Sequence, residues 1–560
     1  MIKAILGSVA AGMTLAACTQ TPPPETPADA SPIDTANMSD IVRTLASDAF
    51  QGRAPGTEGE TKTVDYLIER FDAIGLEPGG RNGAWTDTVT LSHSRITGVN
   101  ALNVSSGDET IDMQQGVDIE ISSANARSNI TVDGAPVVFV GFGASAPERG
   151  WDDFGDVDLT GKVALFLVND PDFGVPEDHP TAGLFGGRRM TYYGRWAYKF
   201  EEAARRGAVA ALVIHETKAA GYGWNVASSS PGENYAVAGN DGTKPSVDLQ
   251  GWLHEDMAKQ WVQQAGYDLD ELRTAARKTD FAAFPLGDLA FNTDLDLSVE
   301  TAESQNVLGK ITGTTRPDET IMLSGHWDAY GVGEPDAQGR TVMPGANDDA
   351  LGLAGIMEVA RNLKAGPAPE RTVVFAAWTA EESGLLGSEA YAQDPIYPLE
   401  TTVANFTLDI LQTAGLARDV IQVGEGQSTL EERMARTAAK QGRTVSPEGL
   451  PENGLFYRAD HFSLARRGVP VLLIMGISGG SDLVEGGREA GDAWVKGYID
   501  NRYHNQNDIW DPNWDLAGAA QDVELILDMT RDLASSNDWP ELKTTSEFKD
   551  LRDASAAARE

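Results

Sequence analysis

Two neighbouring glutamates, Glu381 and Glu382, stand in the run TAEES at 379–383, between the apolar stretch TVVFAAW at 372–378 and the small-residue helix start GLLGSEAYA. A buried strand that ends in two carboxylates and then turns into a helix puts them at the carboxyl edge of a parallel sheet, where α/β proteins keep their ligands. Side by side they repel, so a cation is expected between or beside them, either a metal ion or an Arg or Lys partner. Four more segments bring compatible residues to the same rim. TIMLSGHWDAYG ends a strand at His326 with Asp328 two residues on, and PGANDDALGLAG sets Asp348 and Asp349 at the mouth of a helix. TTVANFTLDIL carries Asp409 at a strand end, and RYHNQNDIWDP carries His504. Histidine and carboxylate donors without a thiol suit zinc, and more than four of them suggests two ions sharing one bridging carboxylate.

The elements that must position these residues read as an alternation from about Gln305 onward. Strands are expected near 305–311, 320–325, 371–377, 401–409, 419–423 and 469–475, and helices near 349–364, 384–392, 428–441, 459–467 and 515–535. Short strands separated by helices give an α/β fold with a mostly parallel mixed sheet covered by helices on both faces. Upstream, MSDIVRTLASDAF behind a Ser39/Asp40 cap and TKTVDYLIERFDAIGL read as helices joined by the Gly/Pro loop QGRAPGTEGE, and the text alternates like strands from about Thr86 to Ile121. Residues 122–290 read as a separate unit, with GKVALFLVND as a strand, FEEAARRG as a helix closed at Gly207, and AVAALVIHE as the strand after it. His93, His179, His215 and His254 read as structural histidines.

Length and charge bound the rest. The chain has 560 residues, 41% of them hydrophobic, enough for two or three domains with a large core. The balance of 44 basic against 84 acidic residues, a net charge of −40, argues against a nucleic-acid or anionic-lipid surface. In residues 1–18, Lys3 precedes a short apolar run that ends Leu15-Ala16-Ala17-Cys18, which resembles the lipobox of bacterial lipoproteins. Cys18 is the only cysteine, so it forms neither an internal disulfide nor a thiolate metal site, and its expected role is a lipid anchor. Residues 19–36, rich in Pro, Thr, Ala and acid, are expected to be a disordered tether. The chain is then expected in a bacterial cell envelope, facing the periplasm or the exterior.

Taken together, HWDAYG, PGANDDALG, TAEESGLLGS, LDILQ and YHNQND resemble the motif series of the co-catalytic di-zinc aminopeptidases, a superfamily that also contains the glutamate carboxypeptidases and the transferrin receptor. The resemblance implies a zinc-exopeptidase-like fold acting on peptides, with two zinc ions per chain. It implies His326 and Asp409 on the first ion, Glu382 and His504 on the second, and Asp348 bridging both. It further implies that Asp328 orients His326, that Glu381 is the general base for the activated water, and that Tyr503 polarises the scissile carbonyl. The unit at 122–290 resembles an inserted protease-associated domain, rich in β-structure. The peptidase domain would then comprise 37–121 and 291–540, followed by a C-terminal tail at 541–560.

Asp349 is expected as a helix N-cap, and Asp460 with His461 either lines the substrate cleft or starts a helix. Three functions fit the motifs. An aminopeptidase comes first, because acid outweighs base around the proposed site, where Arg458 and Arg502 are the nearby cations. A carboxypeptidase, a dipeptidase or a single-zinc glutaminyl cyclase of the same superfamily comes second. A non-catalytic binding protein comes last, since every ligand position and the base are filled.

Overall fold

A computed structural model of the chain describes residues 32–125, 127–229, 231–238 and 246–559. Every residue of the strands Arg371–Trp378, Thr402–Asp409 and Val471–Met475 is buried. Continuous burial is what a sheet covered on both faces demands. The order across the sheet is Val471–Met475, Thr402–Asp409, Arg316–His326, Arg371–Trp378, all parallel, and then the end of the strand Phe284–Ile311 running antiparallel. Because successive side chains point to opposite faces, the central strand feeds two cores. Val373, Phe375 and Ala377 pack with the helices Ala350–Ala365 and Ala517–Ser535 on one side, while Val374, Ala376 and Trp378 meet Tyr391, Phe462 and Leu473 on the other. The fold is therefore the mixed, mostly parallel α/β sheet expected.

The register places the site. His326 lies opposite Trp378, and Asp409 lies opposite Met475, so these strands end together at one carboxyl edge. Two very long strands, Thr86–Ser106 and Phe284–Ile311, pair antiparallel and carry the sheet onward into the middle of the chain. There a second parallel set, Asn129–Phe139, Val163–Leu167, Ala210–His215 and Leu249–His254, forms its own two-faced core. The helix Trp196–Arg205 closes just before Gly207, whose φ of +76° turns the chain into the strand Ala210–His215. The strand Glu233–Val237 adds to the free edge of the ribbon opposite 91–95.

Several expectations change. The first helix runs Thr35–Leu45, capped by Asp34 rather than Ser39 or Asp40, because Asp34 accepts from Ala36 N and Asn37 N and Ile33 is buried beside it. Within the stretch 19–36 expected as a tether, residues 32–36 are described, and Thr35 and Ala36 are already helical. The leader at 1–18, with Cys18, and residues 19–31 lie outside the described residues. The 290/291 boundary falls inside one 28-residue strand, so both units share that strand. In the stretch expected as a C-terminal tail, Leu542, Phe548 and Arg552 are buried, and Lys549–Ala554 is helical. A helix at Gly487–Asn501 was not expected, and it buries only Gly491 and Tyr498, too few to leave an apolar stripe in the sequence. Among the described residues no helix is long and apolar enough to cross a membrane.

Candidate metal centre

The carboxyl edge delivers the expected side chains to one place. His326, Asp348 and Asp409 form one group able to hold a metal ion, and Asp348, Glu382 and His504 form another, the donor atoms of each lying within 4.8 Å of one another. The two groups share Asp348. His326 Nε2 stands 3.1 Å from Asp348 Oδ1, and His504 Nε2 stands 3.3 Å from Asp348 Oδ2 and 3.5 Å from Glu382 Oε2. Glu381, the remaining member of the TAEES pair, sits 4.0 Å from His326 Nε2 and belongs to neither group. His93, His179, His215 and His254 also lie outside both groups.

A layer of side-chain-to-backbone hydrogen bonds fixes these positions. Asp328, fully buried, accepts from Glu381 N at 3.0 Å and from Glu382 N at 3.2 Å. Its carboxylate lies 3.5 Å from His326 Nδ1, which instead donates to the Asp328 carbonyl at 3.1 Å. A carbonyl only accepts, so Nδ1 carries the proton and Nε2 is left as the ligand atom. Asp328 therefore orients His326 chiefly through its backbone, while its carboxylate holds the turn that presents the two glutamates. That turn needs a left-handed Ala380, φ +51°, and is clamped by Asn306, which accepts from Thr379 N and donates to Gly387 O.

Asp349 is the N-cap expected, accepting from Gly352 N, and its second oxygen accepts from His326 N at 3.1 Å. Asp508 accepts from the backbone N–H of both Asn347 and Asp348 at 3.0 Å. Asn347 exchanges two hydrogen bonds with the backbone of Leu411, tying the Asp348 loop to the segment after Asp409. Asp460, open in sequence between cleft and helix start, is 1% exposed at the start of the short helix His461–Ala465 and does not line the cavity.

The electrostatics follow from burying so much negative charge. Burial pushes Glu381 well above the usual carboxylate range; His326 opposes this, while Glu382, Asp460 and Asp409 add to it. Glu382 is raised in the same way, by burial and then by Asp348. Burial, followed by Asp348, pushes Asp409 up to about 8. For His326, burial works against the charged form, yet Glu381, Asp328 and Asp348 outweigh it and hold the imidazole well above its ordinary value. Asp348 is lowered despite burial, because both imidazoles lie against its carboxylate. Asp409 Oδ1 is buried without a hydrogen-bond partner, as an oxygen reserved for a cation would be. Two N/O donor sets joined by one carboxylate fit a pair of zinc ions, with Asp348 between them.

The centre forms one end of a cavity of about 1060 Å³. Tyr503 lines it, its ring 3.6 Å from the ring of His504, and Tyr330 Oη lies 2.9 Å from His504 Nδ1. Tyr330 stands inside the HWDAYG motif, but nothing in its spacing distinguishes it from a surface tyrosine. Arg195, a residue of the 122–290 unit, lines the same space as Arg458. No carboxylate lies within ion-pair distance of either guanidinium among the described residues, whereas the neighbouring Arg466 and Arg467 are paired with Glu201 at 2.8 Å and Glu389 at 2.7 Å. Burial, then the charge of Arg458, pushes Arg195 down to about 10.

Residues 306–527 match the model of Peptidase family M28, so the resemblance drawn from the motifs holds over that stretch. Among curated proteins the chain is 29% identical over 201 residues to a Glutamate carboxypeptidase 2 homolog of Caenorhabditis elegans, covering 35% of this chain and 24% of that protein. It is 32% identical over 136 residues to Aminopeptidase NAALADL1 of Mus musculus, covering 22% and 17%. The match thus spans a quarter or less of these relatives. Among solved structures, an aminopeptidase from Aneurinibacillus sp. strain AM-1 aligns at TM-score 0.48 and 19% identity over 90% of this chain and 95% of that one. A zinc aminopeptidase of Bacillus subtilis aligns at 0.41 and 18% over 92% and 98%.

The double role of Asp328 is open to a direct check. In Asp328→Asn one oxygen becomes an N–H donor that faces the backbone N–H of Glu381 or Glu382. Turnover should fall by about 10–100-fold, as for other partners that orient metal ligands, with the far-UV spectrum unchanged. Parental turnover in this variant would remove Asp328 from the site.

Proposed function

We propose that the protein is a zinc-dependent exopeptidase, and that it acts as an aminopeptidase releasing N-terminal residues from peptides. The observation that carries this reading is the pair of ligand groups joined at Asp348, with Glu381 beside them and outside both, at the end of a cavity large enough for a short peptide. His326, Asp409 and Asp348 would hold one ion, and Glu382, His504 and Asp348 the other. When bound, two such ions supply Lewis acidity that brings the pKa of water down to about 7 and polarises the peptide carbonyl. Glu381 then accepts the proton of the attacking water and returns it to the leaving amine nitrogen. Its adjacency to a ligand in sequence works because the left-handed turn at Ala380 and the grip of Asp328 send neighbouring side chains to different tasks. Tyr503, beside His504 on the cavity wall, donates a hydrogen bond to the carbonyl oxygen as charge develops there.

Recognition of a free amine is supported by the acids of the centre, Asp348, Glu381 and Glu382, which attract a cationic group entering the cavity. A second reading has its own support. Arg195 and Arg458 line the same cavity without protein carboxylates, and two free guanidinium groups are what a carboxypeptidase or dipeptidase would use to hold a substrate carboxylate. Arg195 escapes a sequence reading confined to neighbours of the motifs, because the 122–290 unit brings it in from more than a hundred residues away.

Glu381→Gln should keep the metal content of the parent and lose at least ~10²–10⁴-fold in turnover, because the isosteric amide cannot accept the proton. Hydrolysis at the parental rate would free Glu381 of its role. The bound end of the peptide is decided by blocking each terminus of one good substrate. Acetylating the N-terminus should abolish cleavage while amidating the C-terminus changes little. The reverse pattern would replace the aminopeptidase with a carboxypeptidase, and loss with either block would make it a dipeptidase.

Anchoring at Cys18 completes the reading, on the strength of the Leu15-Ala16-Ala17-Cys18 sequence. In a lipoprotein-competent bacterium the protein should fractionate with membranes, and Cys18→Ser should release it or leave it unprocessed. A soluble parental protein with an unmodified Cys18 would contradict the anchor.

A further inference from the structure

The loop QGRAPGTEGE lies far in sequence from every ligand motif, yet one of its residues reaches beneath them. Gln51, Gly52 and Arg53 are left-handed in succession, with φ of 51°, 64° and 52°. A Cβ at Gly52 would meet Gly331 O at 2.4 Å and Met343 O at 2.6 Å, so only glycine lets the turn close onto the strand pair that flanks the metal loops. This costly turn drives Arg53 wholly into the interior, where its guanidinium is 0% exposed.

There its donors go to four carbonyls. Nε donates to Trp327 O at 2.6 Å, Nη1 to Pro344 O at 2.5 Å and to Leu45 O at 3.1 Å, and Nη2 to Gly345 O at 2.8 Å. Trp327 separates His326 from Asp328, and Gly345 stands three residues before Asp348. One rigid planar group therefore grips the two segments that carry His326 and Asp348, and it also ties them to the end of the first helix. No carboxylate touches it directly. Its positive charge is instead set against the acids of the centre, with Asp328, Asp508, Asp349 and Asp348 favouring the charged form that burial opposes.

We infer that Arg53 is a positioning residue of the metal centre: by bridging the carbonyls of Trp327, Pro344 and Gly345 it sets the distance between the His326 and Asp348 loops, so that the His326/Asp348/Asp409 group is assembled before an ion arrives. The inference rests on reading those groups as zinc sites. It depends on the fork of the guanidinium, since a lysine offers a single ammonium that cannot span the two loops in the same geometry.

The test compares Arg53→Met, Arg53→Lys and a control, Arg371→Met, in the full chain. Arg371 is equally buried and is held by Glu319 and the carbonyls of Leu533 and Asp538, but it begins the strand whose far end faces the site. Zinc affinity is read by competition with a chromogenic chelator, alongside unfolding temperature. Arg53→Met should bind one of its two ions about 10–100-fold more weakly, with turnover recovering in excess zinc, and Arg53→Lys should fall between it and the parent. Arg371→Met should lower the unfolding temperature and keep parental zinc affinity. Parental affinity in a folded Arg53→Met, or in Arg53→Lys if the former does not fold, would reduce Arg53 to a structural residue. An equal loss of zinc in Arg371→Met would do the same. A parental protein that takes up no zinc would overturn the metal reading beneath the inference, an outcome distinct from either variant result.

Discussion

Five carboxylates crowded around two imidazoles, with His326 buried and His504 open to solvent, is the arrangement on which the rest of this structure depends. Two unit charges 4 Å apart repel by about 4 kcal/mol at an effective dielectric of 20, and Asp348, Asp409, Glu381, Glu382 and Asp328 are all buried or nearly so. Such a cluster does not assemble by mutual attraction. It is held open by strand ends in fixed register and by hydrogen bonds between side chains and backbone. Asp328 grips the glutamate turn, Asp349 grips His326, Asp508 grips Asp348, and Asn347 grips the chain beyond Asp409. Each ligand-bearing segment is thereby locked to another before any cation is considered, which is the preorganisation that metal chemistry requires. The upward shifts in His326 and Asp409 are consequences of the same crowding, since each favours the form that carries less negative charge.

How much of this was legible in the sequence depends on where each residue sits. His326, Asp348, Glu382, Asp409 and His504 were readable because the first four end or begin strongly periodic elements, where an apolar run stops at a charged residue. The parallel sheet was readable for the same reason, as unbroken apolar strands spaced by helices. The supporting layer was not. Asp508, Asn347 and Asn306 act on backbone groups far away in sequence, and a polar residue in a loop carries no mark of the N–H it will meet. Arg53 read as part of a Gly/Pro loop, because a left-handed turn that buries an arginine leaves the same letters as one that exposes it. The cap at Asp34 was misplaced onto Ser39 or Asp40 since all three are good caps, and only the burial of Ile33 decides between them.

The long ribbon links the two halves of the structure. Strands of 21 and 28 residues run from the edge of the site-bearing sheet into the middle unit, so that unit is held to it by paired backbone along their length. Contacts between Arg466 and Glu201 and between Met190 N and Pro451 O pin it on the other side of the cavity. The space over the acidic cluster is thus walled by two parts of the chain, with Arg195 and Tyr235 of the middle unit lining the same cavity as Glu381 and His504.

In the function proposed above, this edge holds two zinc ions that share Asp348. Anomalous diffraction from a crystal of the zinc-loaded protein, measured on both sides of the zinc absorption edge, tests it most directly. The account predicts two peaks about 3.5–4 Å apart, one between His326, Asp348 and Asp409 and the other between Asp348, Glu382 and His504. A single peak, or peaks that leave Asp348 outside the coordination of either ion, would contradict it.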